Sequence, residues 1–374
     1  MAKKTDHILS DIVPAPARGR DILVSRFSAL GDVAMTLPPL YDACLSNPDR
    51  RFIMLTRQHP ASIFINPPVN LVIHPIDTAD YPGLAGMRRL YRELRDKYDI
   101  GAYADLHDVL RTQMLRLFFR LGGVKVTKVD KGRLDRYRLT RSSNKHLVEL
   151  TPMGQRYAAT LAAAGARGQG RFKSVFPTLP DPEIFANAIL PRRDGEKWIA
   201  IAPFARHPGK VYPEKYMVLA LAHMMNKIYG CRLILFGFGP EEEATIEKWR
   251  DILSSEFPFK PESIVNMASA RIGLPAEMAL IAHCDVMLSM DSANMHLATL
   301  VGTRVVSIWG ATHPYCGFRP AALRDSDIIQ LDMTCRPCSV FGNRPCMQGD
   351  YYCLKGISSE RVAEVVRDAC NDDA

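Results

Sequence analysis

The chain has 374 residues, of which 47% are hydrophobic and 24% charged, which is typical of a globular protein but too long for one compact core. This composition excludes a disordered or fibrous protein, and no run of about 18 apolar residues predicts a membrane-spanning helix. Lys and Arg outnumber Asp and Glu by 48 to 40, a net charge of +8. Such a charge indicates either an anionic partner or solubility alone.

The N-terminal residues 1–20 form a polar leader that carries early lysines. The leader has no apolar run of about 7–15 residues and no small-residue cleavage site, so it does not predict a secretory signal. Nine cysteines, an odd number, also argue against a secreted disulfide framework. We therefore expect a cytoplasmic protein.

Short aliphatic or β-branched runs alternate with helical patterns in the first half of the chain. The predicted strands are 21–25, 51–55, 70–73, 100–104 and 124–127. The predicted helices are 32–46, 84–98, 108–121 and 151–165, the last of which begins with Thr-Pro and ends in Gly. This alternation predicts a parallel sheet covered by helices.

A segment rich in Gly, Pro and Arg, 166–196, predicts a linker before a second series of the same kind. The second series has predicted strands at 198–202, 231–236, 263–266, 286–289 and 304–308, and predicted helices at 213–229, 241–254, 275–284, 292–301 and 358–370. The fold class is thus α/β, with two Rossmann-like doubly wound domains. Ligands of such domains bind at the carboxyl ends of the strands, here in a cleft between the domains.

A first candidate motif, LVSRFSALGDVAMTLP, spans residues 23–38. A strand leads into it and a helix is expected to begin near Val33, so Gly31 permits a tight turn and Asp32 lies at the helix start. Asp is a favoured N-cap residue, and that is one interpretation of Asp32. The other is a general base at the carboxyl end of the first strand.

A second candidate motif, SMDSANMHLATLVGTRVVSIW, spans residues 289–309. Here a strand ends at Asp291, a helix begins at Ser292 and His296 falls in its second turn. The free backbone N–H groups of such a helix start bind diphosphates. Asp291 or Ser292 could equally be a simple cap, and His296 a core residue.

Taken together, the two motifs resemble the lipopolysaccharide heptosyltransferases, family 9 of the GT-B glycosyltransferases. The resemblance covers about residues 21–365 and includes the segments 66–73 and 105–111. It implies the GT-B fold, with an acceptor-binding domain over 21–180, a nucleotide-sugar domain over 181–357 and a C-terminal helix over 358–374 that packs back on the first domain.

The resemblance also implies the reaction, an inverting transfer of heptose from ADP-heptose to an anionic inner-core acceptor of lipopolysaccharide, with no cofactor required. Asp32 matches the base that takes the proton of the acceptor hydroxyl. Lys210, in the segment FARHPGKVYPEKY, matches a lysine that contacts the donor phosphates. A Lys in such a loop is also compatible with a solvated charge, but a cation beside a departing diphosphate suits this reaction.

The remaining site residues follow from the same resemblance. The donor contacts it implies are Arg206, Glu242, Asp291, Ser292, Ala293 and His296, with Glu241 as a second choice for the ribose contact of Glu242. The acceptor contacts it implies are Arg26, Ser28, Arg111, Arg133, Arg136 and Arg138.

One departure from the family leaves alternatives open. Relatives usually carry Gly where this chain has Ala293, so another nucleotide-sugar donor with the same reaction is one alternative, and a non-catalytic sugar-nucleotide-binding protein is another. The segment GFGPEEE at 237–243 lacks the third glycine of a dinucleotide fingerprint, which disfavours an oxidoreductase.

A basic stretch, 111–145, contains eleven Lys and Arg but two Asp. A solvated face and a nucleic-acid surface are both compatible with it, although no nucleic-acid motif accompanies it. Residues 1–150 hold 24 Lys and Arg against 16 Asp and Glu, whereas residues 151–374 hold 24 of each. The whole excess charge therefore lies in the half that the resemblance assigns to the acceptor, and it would also hold the enzyme at an anionic surface such as the cytoplasmic face of the inner membrane.

A cluster of four cysteines, Cys335, Cys338, Cys346 and Cys353, lies near the C-terminus. The first pair has the C-x2-C spacing of a structural zinc site, but the second pair does not. Zinc, free or redox-active thiols and disulfides all remain open, and none of them is needed for glycosyl transfer. The other five cysteines are expected to be small buried hydrophobes.

Overall fold

The computed structural model describes residues 21–257 and 259–372, so the polar leader 1–20 lies outside the described residues. The described chain divides into two compact units. The first unit comprises 21–28, Pro39–Val129 and Tyr157–Phe172. The second comprises Ala29–Pro38, Asp130–Arg156 and the described residues from Lys173 onward.

The first unit is built on a five-stranded parallel sheet in the order β3-β2-β1-β4-β5. Its strands are β1 (Asp21–Ser25), β2 (Phe52–Arg57), β3 (Leu71–Ile76), β4 (Ile100–Asp105) and β5 (Lys125–Lys128). Its helices are α3 (Gln58–Ala61), α4 (Gly83–Lys97) and α5 (Leu110–Leu121), together with most of α2 (Leu37–Ser46) and α7 (Met153–Ala163). The core between the sheet and helices α4 and α5 contains Leu23, Ile53, Leu90, Tyr103 and Phe119.

The second unit is built on a six-stranded parallel sheet in the order β11-β10-β9-β6-β7-β8. Its strands are β6 (Lys197–Ala202), β7 (Cys231–Leu235), β8 (Ile264–Asn266), β9 (Val286–Met290), β10 (Arg304–Ile308) and β11 (Ile328–Ile329). Its helices are α1 (Leu30–Ala34), α6 (Arg133–Thr140), α8 (Glu214–Lys227), α9 (Pro240–Glu256), α10 (Met267–Ala270), α11 (Leu274–Ala282), α12 (Ala293–Leu300), α13 (Tyr352–Lys355) and α14 (Ser359–Asn371).

The predicted fold class is confirmed, because both units are parallel α/β sheets covered by helices and all ten predicted strands are present within one to three residues. The predicted helix over 32–46 is instead two helices, α1 and α2. Pro38 and Pro39 have no N–H to continue the hydrogen bonds of α1, so they fit only the first turn of a new helix. Within the described residues, no helix combines the length and apolarity needed to cross a membrane.

The C-terminal helix corrects one prediction. Residues 358–374 were expected to pack back on the first domain, but α14 packs on α8, β9 and β10 of the second unit. Its apolar face, Val362, Ala363, Val366 and Ala369, is part of that unit's core. Because this face is already buried there, the predicted packing is wrong.

Candidate active site

The central feature of the second unit is the point where its strand order reverses. Strands β7 and β8 follow β6 on one side, and β9, β10 and β11 lie on the other. The loops that leave the carboxyl ends of β6 and β9 therefore diverge. In parallel α/β proteins such loops border a crevice beyond the carboxyl ends of the strands, and ligands bind there. The two loops carry Lys210 and Asp291, respectively.

Lys210 and Asp291 form an ion pair in this crevice. The Lys210 Nζ lies 2.8 Å from the Asp291 Oδ2, and the two side chains are 15% and 4% exposed. The pair joins the loop after β6 to the loop after β9, so each side chain holds the other in position. A cation fixed in this way, at a partly desolvated place, can stabilise an anion strongly.

Asp32 lies on α1, which packs against α12 within the same unit. The approach of the two helices is close at Gly31, where a Cβ atom would lie 3.2 Å from the Ala293 Cα and 3.4 Å from the His296 Cδ2. A larger residue at 31 would be tightly packed against the start of α12, so glycine suits this close approach of the two helices. The contact brings the residue after it, Asp32, to the region of His296, with which Asp32, Asp291 and Lys210 each interact electrostatically.

The structure contradicts the interpretation of Asp32 as an N-cap residue. Helix α1 begins at Leu30 with Ala29 as its N-cap, and Asp32 is the third helical residue. Its Oδ2 accepts a hydrogen bond from the Ala29 N–H at 3.3 Å, as the acidic residue of a capping box does. The carboxylate thus has a structural contact, and its part in catalysis stays a prediction.

His296 lies in the first half of α12 and is buried. Burial lowers the pKa of His296 to about 4, and the Lys210 charge acts in the same direction, while Asp291 and Asp32 oppose it. Desolvation therefore exceeds the attraction of both carboxylates. At neutral pH the imidazole is uncharged and acts only as a hydrogen-bonding group.

This lowered pKa predicts a pH dependence of folding. Between about pH 6.5 and pH 4 the unfolded chain binds a proton at His296 that the folded chain does not. The free energy of unfolding should therefore fall as the pH falls through this window. Replacing His296 by Asn should remove about 3 kcal/mol of that fall, measured by urea unfolding at a series of pH values. Burial also lowers the pKa of His313, but the contribution of His313 to the pH dependence is the same in the native chain and in the His296→Asn variant. Parallel curves for the two proteins would contradict the prediction.

The start of α12 provides backbone N–H groups at the same crevice. Ser292 is its N-cap residue in extended conformation, with φ of −138°, and its side chain does not cap the helix. Instead, its Oγ lies 3.3 Å from the Ser289 Oγ. The first N–H groups of α12, from Ala293 onward, are thus not satisfied by the Ser292 hydroxyl, and a helix start of this kind can bind an anion.

Two further donor candidates lie at neighbouring strand ends. Arg206 is exposed in the loop after β6. Burial lowers the pKa of His207, and the charges of Arg206 and Lys210 act in the same direction. Glu242 is in the first turn of α9, and its Oε2 accepts a hydrogen bond from the Phe238 N–H at 2.7 Å. Burial raises the pKa of the Glu242 carboxyl. Glu241 beside it is exposed, so Glu242 is the more ordered choice for a ribose contact.

The acceptor candidates on α6 belong to the second unit. Arg133 and Arg138 are exposed, and Arg138 lies 3.8 Å from Asp135. Arg136 instead donates a hydrogen bond to the Met153 Sδ at 2.8 Å and stacks over the Phe318 ring at 4.8 Å. Arg136 is therefore held by the fold, and Arg133 and Arg138 lie on the surface.

The acceptor candidates of the first unit lie at the carboxyl ends of its strands and at the start of α5. Arg26 is buried and donates to the Leu106 carbonyl at 2.9 Å, so its guanidinium has a structural contact. Ser28 is half-buried and Arg111 is exposed. The roles of all three residues in binding an acceptor stay predictions.

A buried charge cluster at the end of β4 includes two acidic residues of the segment 105–111, to which the sequence assigned no role. The Asp105 Oδ1 accepts hydrogen bonds from the N–H groups of His107 and Asp108, and its Oδ2 lies 3.3 Å from Arg116. Asp108, at a left-handed φ of 46°, also pairs with Arg116 at 3.0 Å. The sequence DLHD directly after a predicted strand was the available signal. The cluster lies beside β1, where the strand order of the first sheet reverses.

The four clustered cysteines line one small cavity together with Arg336. All nine cysteines of the chain, each of which is described, are free thiols in the structure. No three His, Cys, Asp or Glu side chains in 21–257 and 259–372 are arranged to hold a metal ion. Arg336 is buried and donates to backbone carbonyls, including those of Gly310 and Thr312, so it fastens the loop after β10.

Comparison with known proteins identifies the family of this chain. The model of glycosyltransferase family 9, the heptosyltransferases, matches residues 87–345. A curated relative, lipooligosaccharide heptosyltransferase 2 of Campylobacter jejuni, is 24% identical over 190 residues, which are 50% of this chain and 56% of the relative. The matched region thus spans little more than half the length of that relative.

Two solved structures share the fold. A family 9 glycosyltransferase of Veillonella parvula superposes with a TM-score of 0.71 at 18% identity, covering 95% of this chain and 98% of the other. The ADP-heptose lipopolysaccharide heptosyltransferase II of E. coli superposes with a TM-score of 0.64 at 20% identity, covering 94% of this chain and 98% of the other. These likenesses establish the fold.

Proposed function

Because this chain belongs to glycosyltransferase family 9, the heptosyltransferases, we propose that it transfers heptose from ADP-heptose to an anionic inner-core acceptor of lipopolysaccharide. The observation that carries the proposal is the buried Lys210–Asp291 ion pair at the strand-order reversal of the second sheet. There, one unit combines a fixed cation, a helix start and the carboxylate of Asp32. A transfer with a diphosphate leaving group needs these three elements.

The proposed reaction is a single displacement. Asp32 accepts the proton of an acceptor hydroxyl while the hydroxyl oxygen bonds to the anomeric carbon of the heptose. The bond from that carbon to the diphosphate oxygen breaks at the same time, and its electron pair stays on the departing ADP. The configuration at the anomeric carbon is therefore inverted.

The departing diphosphate gains negative charge, which the site is suited to bind. Lys210 supplies a positive charge, and the N–H groups at the start of α12 supply partial positive charge along the helix axis. Asp291 keeps the Lys210 ammonium in place before the donor binds. Neutral His296 offers a hydrogen bond to the sugar without adding charge.

The donor alternative is testable by substrate choice. We expect ADP to be released from ADP-heptose only when a lipid-linked inner-core saccharide is also present, with the heptosylated product detected by mass spectrometry. Turnover with a different nucleotide sugar, and none with ADP-heptose, would favour the alternative that Ala293 leaves open. Binding of donor by calorimetry with no turnover on any acceptor would favour a non-catalytic sugar-nucleotide-binding protein.

The basic first half of the chain predicts a salt effect on the acceptor. Raising the ionic strength from about 50 mM to 300 mM should raise the KM for an anionic acceptor several-fold, because exposed charges are screened. An acceptor analogue without phosphate or carboxylate groups should show little change and serves as the control. Equal effects on both acceptors would contradict an electrostatic acceptor site.

Zinc at the cysteine cluster is a separate proposal, and the transfer reaction does not depend on it. A four-thiolate zinc site would carry two negative charges, and Lys145 and Arg336 offer two positive charges beside it. The Lys145 Nζ donates to the Pro337 carbonyl at 2.7 Å, next to Cys338. Zinc binding would require the four sulfurs to draw together. Metal analysis of the purified protein tests it, with Cys346→Ser as the variant that should lose zinc.

A cytoplasmic location, and attachment to the cytoplasmic face of the inner membrane, are also parts of the proposed function. The second unit carries candidate residues for a nucleotide sugar, and the first half of the chain is basic, which suits an anionic, lipid-linked acceptor. Fractionation of cells into cytoplasm and membranes tests both statements.

A further inference from the structure

Helix α5 of the first unit has two opposite apolar faces. One face is in the core, where Thr112, Leu115 and Phe119 are buried. The other face carries Leu110, Leu117 and Leu121, which are 67%, 49% and 76% exposed. A helix on the surface of a globular unit normally has one apolar face, with polar residues opposite.

The exposed leucines form a continuous row. Leu110, Met114, Leu117 and Leu121 follow one another at intervals of four, three and four residues, so they lie on one side of the helix. Met114 is half-buried and links the row to the core. Single exposed leucines are ordinary, but a row of them marks a surface that binds something apolar. We call this row the α5 face.

Arginines border the α5 face on both sides. Arg111 and Arg120 are exposed on α5 itself. Helix α4 packs beside α5, and the Arg95 guanidinium on α4 donates to the Gly122 carbonyl at 3.4 Å. Arg88 lies two turns before Arg95 on the same side of α4. None of these four arginines pairs with a carboxylate of the described residues.

We propose that the α5 face binds the surface of an anionic lipid bilayer. The leucines would enter the boundary between headgroups and acyl chains, and the bordering arginines would contact lipid phosphates. A second copy of the chain fits this surface poorly, because a two-fold pairing would bring the arginine borders of both copies together. A nucleic acid fits poorly as well, since the centre of the surface is apolar.

This inference names the surface for the membrane attachment proposed above and rests on that part of the proposed function, but it does not rest on the transfer reaction. It follows from the exposed leucines and their charged border, and it is tested without any sugar donor or acceptor. A protein with no transferase activity could therefore still bind vesicles through the α5 face, and a transferase could fail to do so.

The test is co-sedimentation of the full chain with vesicles. The probe is phosphatidylcholine vesicles that contain phosphatidylglycerol, compared with phosphatidylcholine alone. The apolar variant is Leu117→Gln with Leu121→Gln, because Gln is tolerated in helices nearly as well as Leu. The charge variant is Arg111→Gln with Arg120→Gln. The control for the apolar variant is Leu179→Gln with Leu190→Gln, and the control for the charge variant is Arg361→Gln. All three positions are exposed in the second unit.

We expect the native chain to bind the anionic vesicles and to lose this binding at high salt. The charge variant should bind about 25-fold more weakly, at roughly a fivefold loss for each arginine, and the apolar variant roughly tenfold or more. The controls should bind like the native chain. Circular dichroism melting curves identify any variant that is misfolded.

Three results would overturn the proposal. The first is absence of binding to anionic vesicles. The second is binding that the folded variants of the α5 face retain. The third is a concentration-dependent dimer, seen by analytical ultracentrifugation, that the apolar variant abolishes while vesicle binding is unchanged, because then a second copy covers the row.

Discussion

Replacing Asp32 by Asn should lower acceptor-dependent turnover by a factor of about 10²–10⁴, the usual contribution of a general base. The amide oxygen of Asn can still accept the Ala29 N–H that the Asp32 carboxylate binds, so α1 should stay folded. The loss should therefore appear in kcat, with donor affinity changed little. The measurement is ADP release at saturating donor and acceptor.

Asp49→Asn is a matched control for this substitution, because Asp49 is an exposed carboxylate in the turn before β2. It removes the same charge from the chain and should leave turnover unchanged. Product formation that survives Asp32→Asn within a factor of about three would show that another group takes the proton. A loss confined to KM would instead place Asp32 in substrate binding.

Replacing Lys210 by Met should damage both stability and catalysis. The substitution keeps the side-chain length but leaves the buried Asp291 carboxylate without its cation. Removing one partner of a buried ion pair costs about 3 kcal/mol or more of unfolding free energy. Loss of the positive charge beside the departing diphosphate should also lower kcat by about 10²–10³. Urea unfolding and steady-state kinetics measure the two effects.

A double variant separates these two effects. Lys210→Met with Asp291→Asn removes both charges of the pair, so most of the stability lost in the single variant should return. Turnover should stay low, since the cation is still missing. If turnover recovered together with stability, Lys210 would serve only to hold the loop after β6.

Most strands were predictable because they are short aliphatic runs buried on both faces, and β1, β7 and β9 are buried along their whole length. Helix α6 was not, since its sequence RLDRYRLT has little apolar periodicity and two buried residues. The break between α1 and α2 could have been found from the consecutive prolines at 38 and 39.

The sequence indicated which residues follow strands, but it could not indicate which strand ends are adjacent. Lys210 follows β6 and Asp291 follows β9, and they meet because these two strands are neighbours in the sheet. Strand order depends on long-range packing, which the local pattern does not contain. The same holds for α14. Its amphipathic pattern is clear from the sequence, but only the structure shows that its apolar face packs in the core of the second unit.

The second unit takes its chain from three separate segments, and this has a consequence for how it forms during synthesis. Asp32 leaves the ribosome before Lys210, Asp291 and the core residues of α14, which lie much later in the chain. The sheet of the first unit is complete once β5 has emerged. The segment that carries Asp32 therefore has no packing partner until α12 has been synthesised. A fragment that begins at Lys173 would lack this segment altogether, so it should expose the surface of α12 that α1 covers.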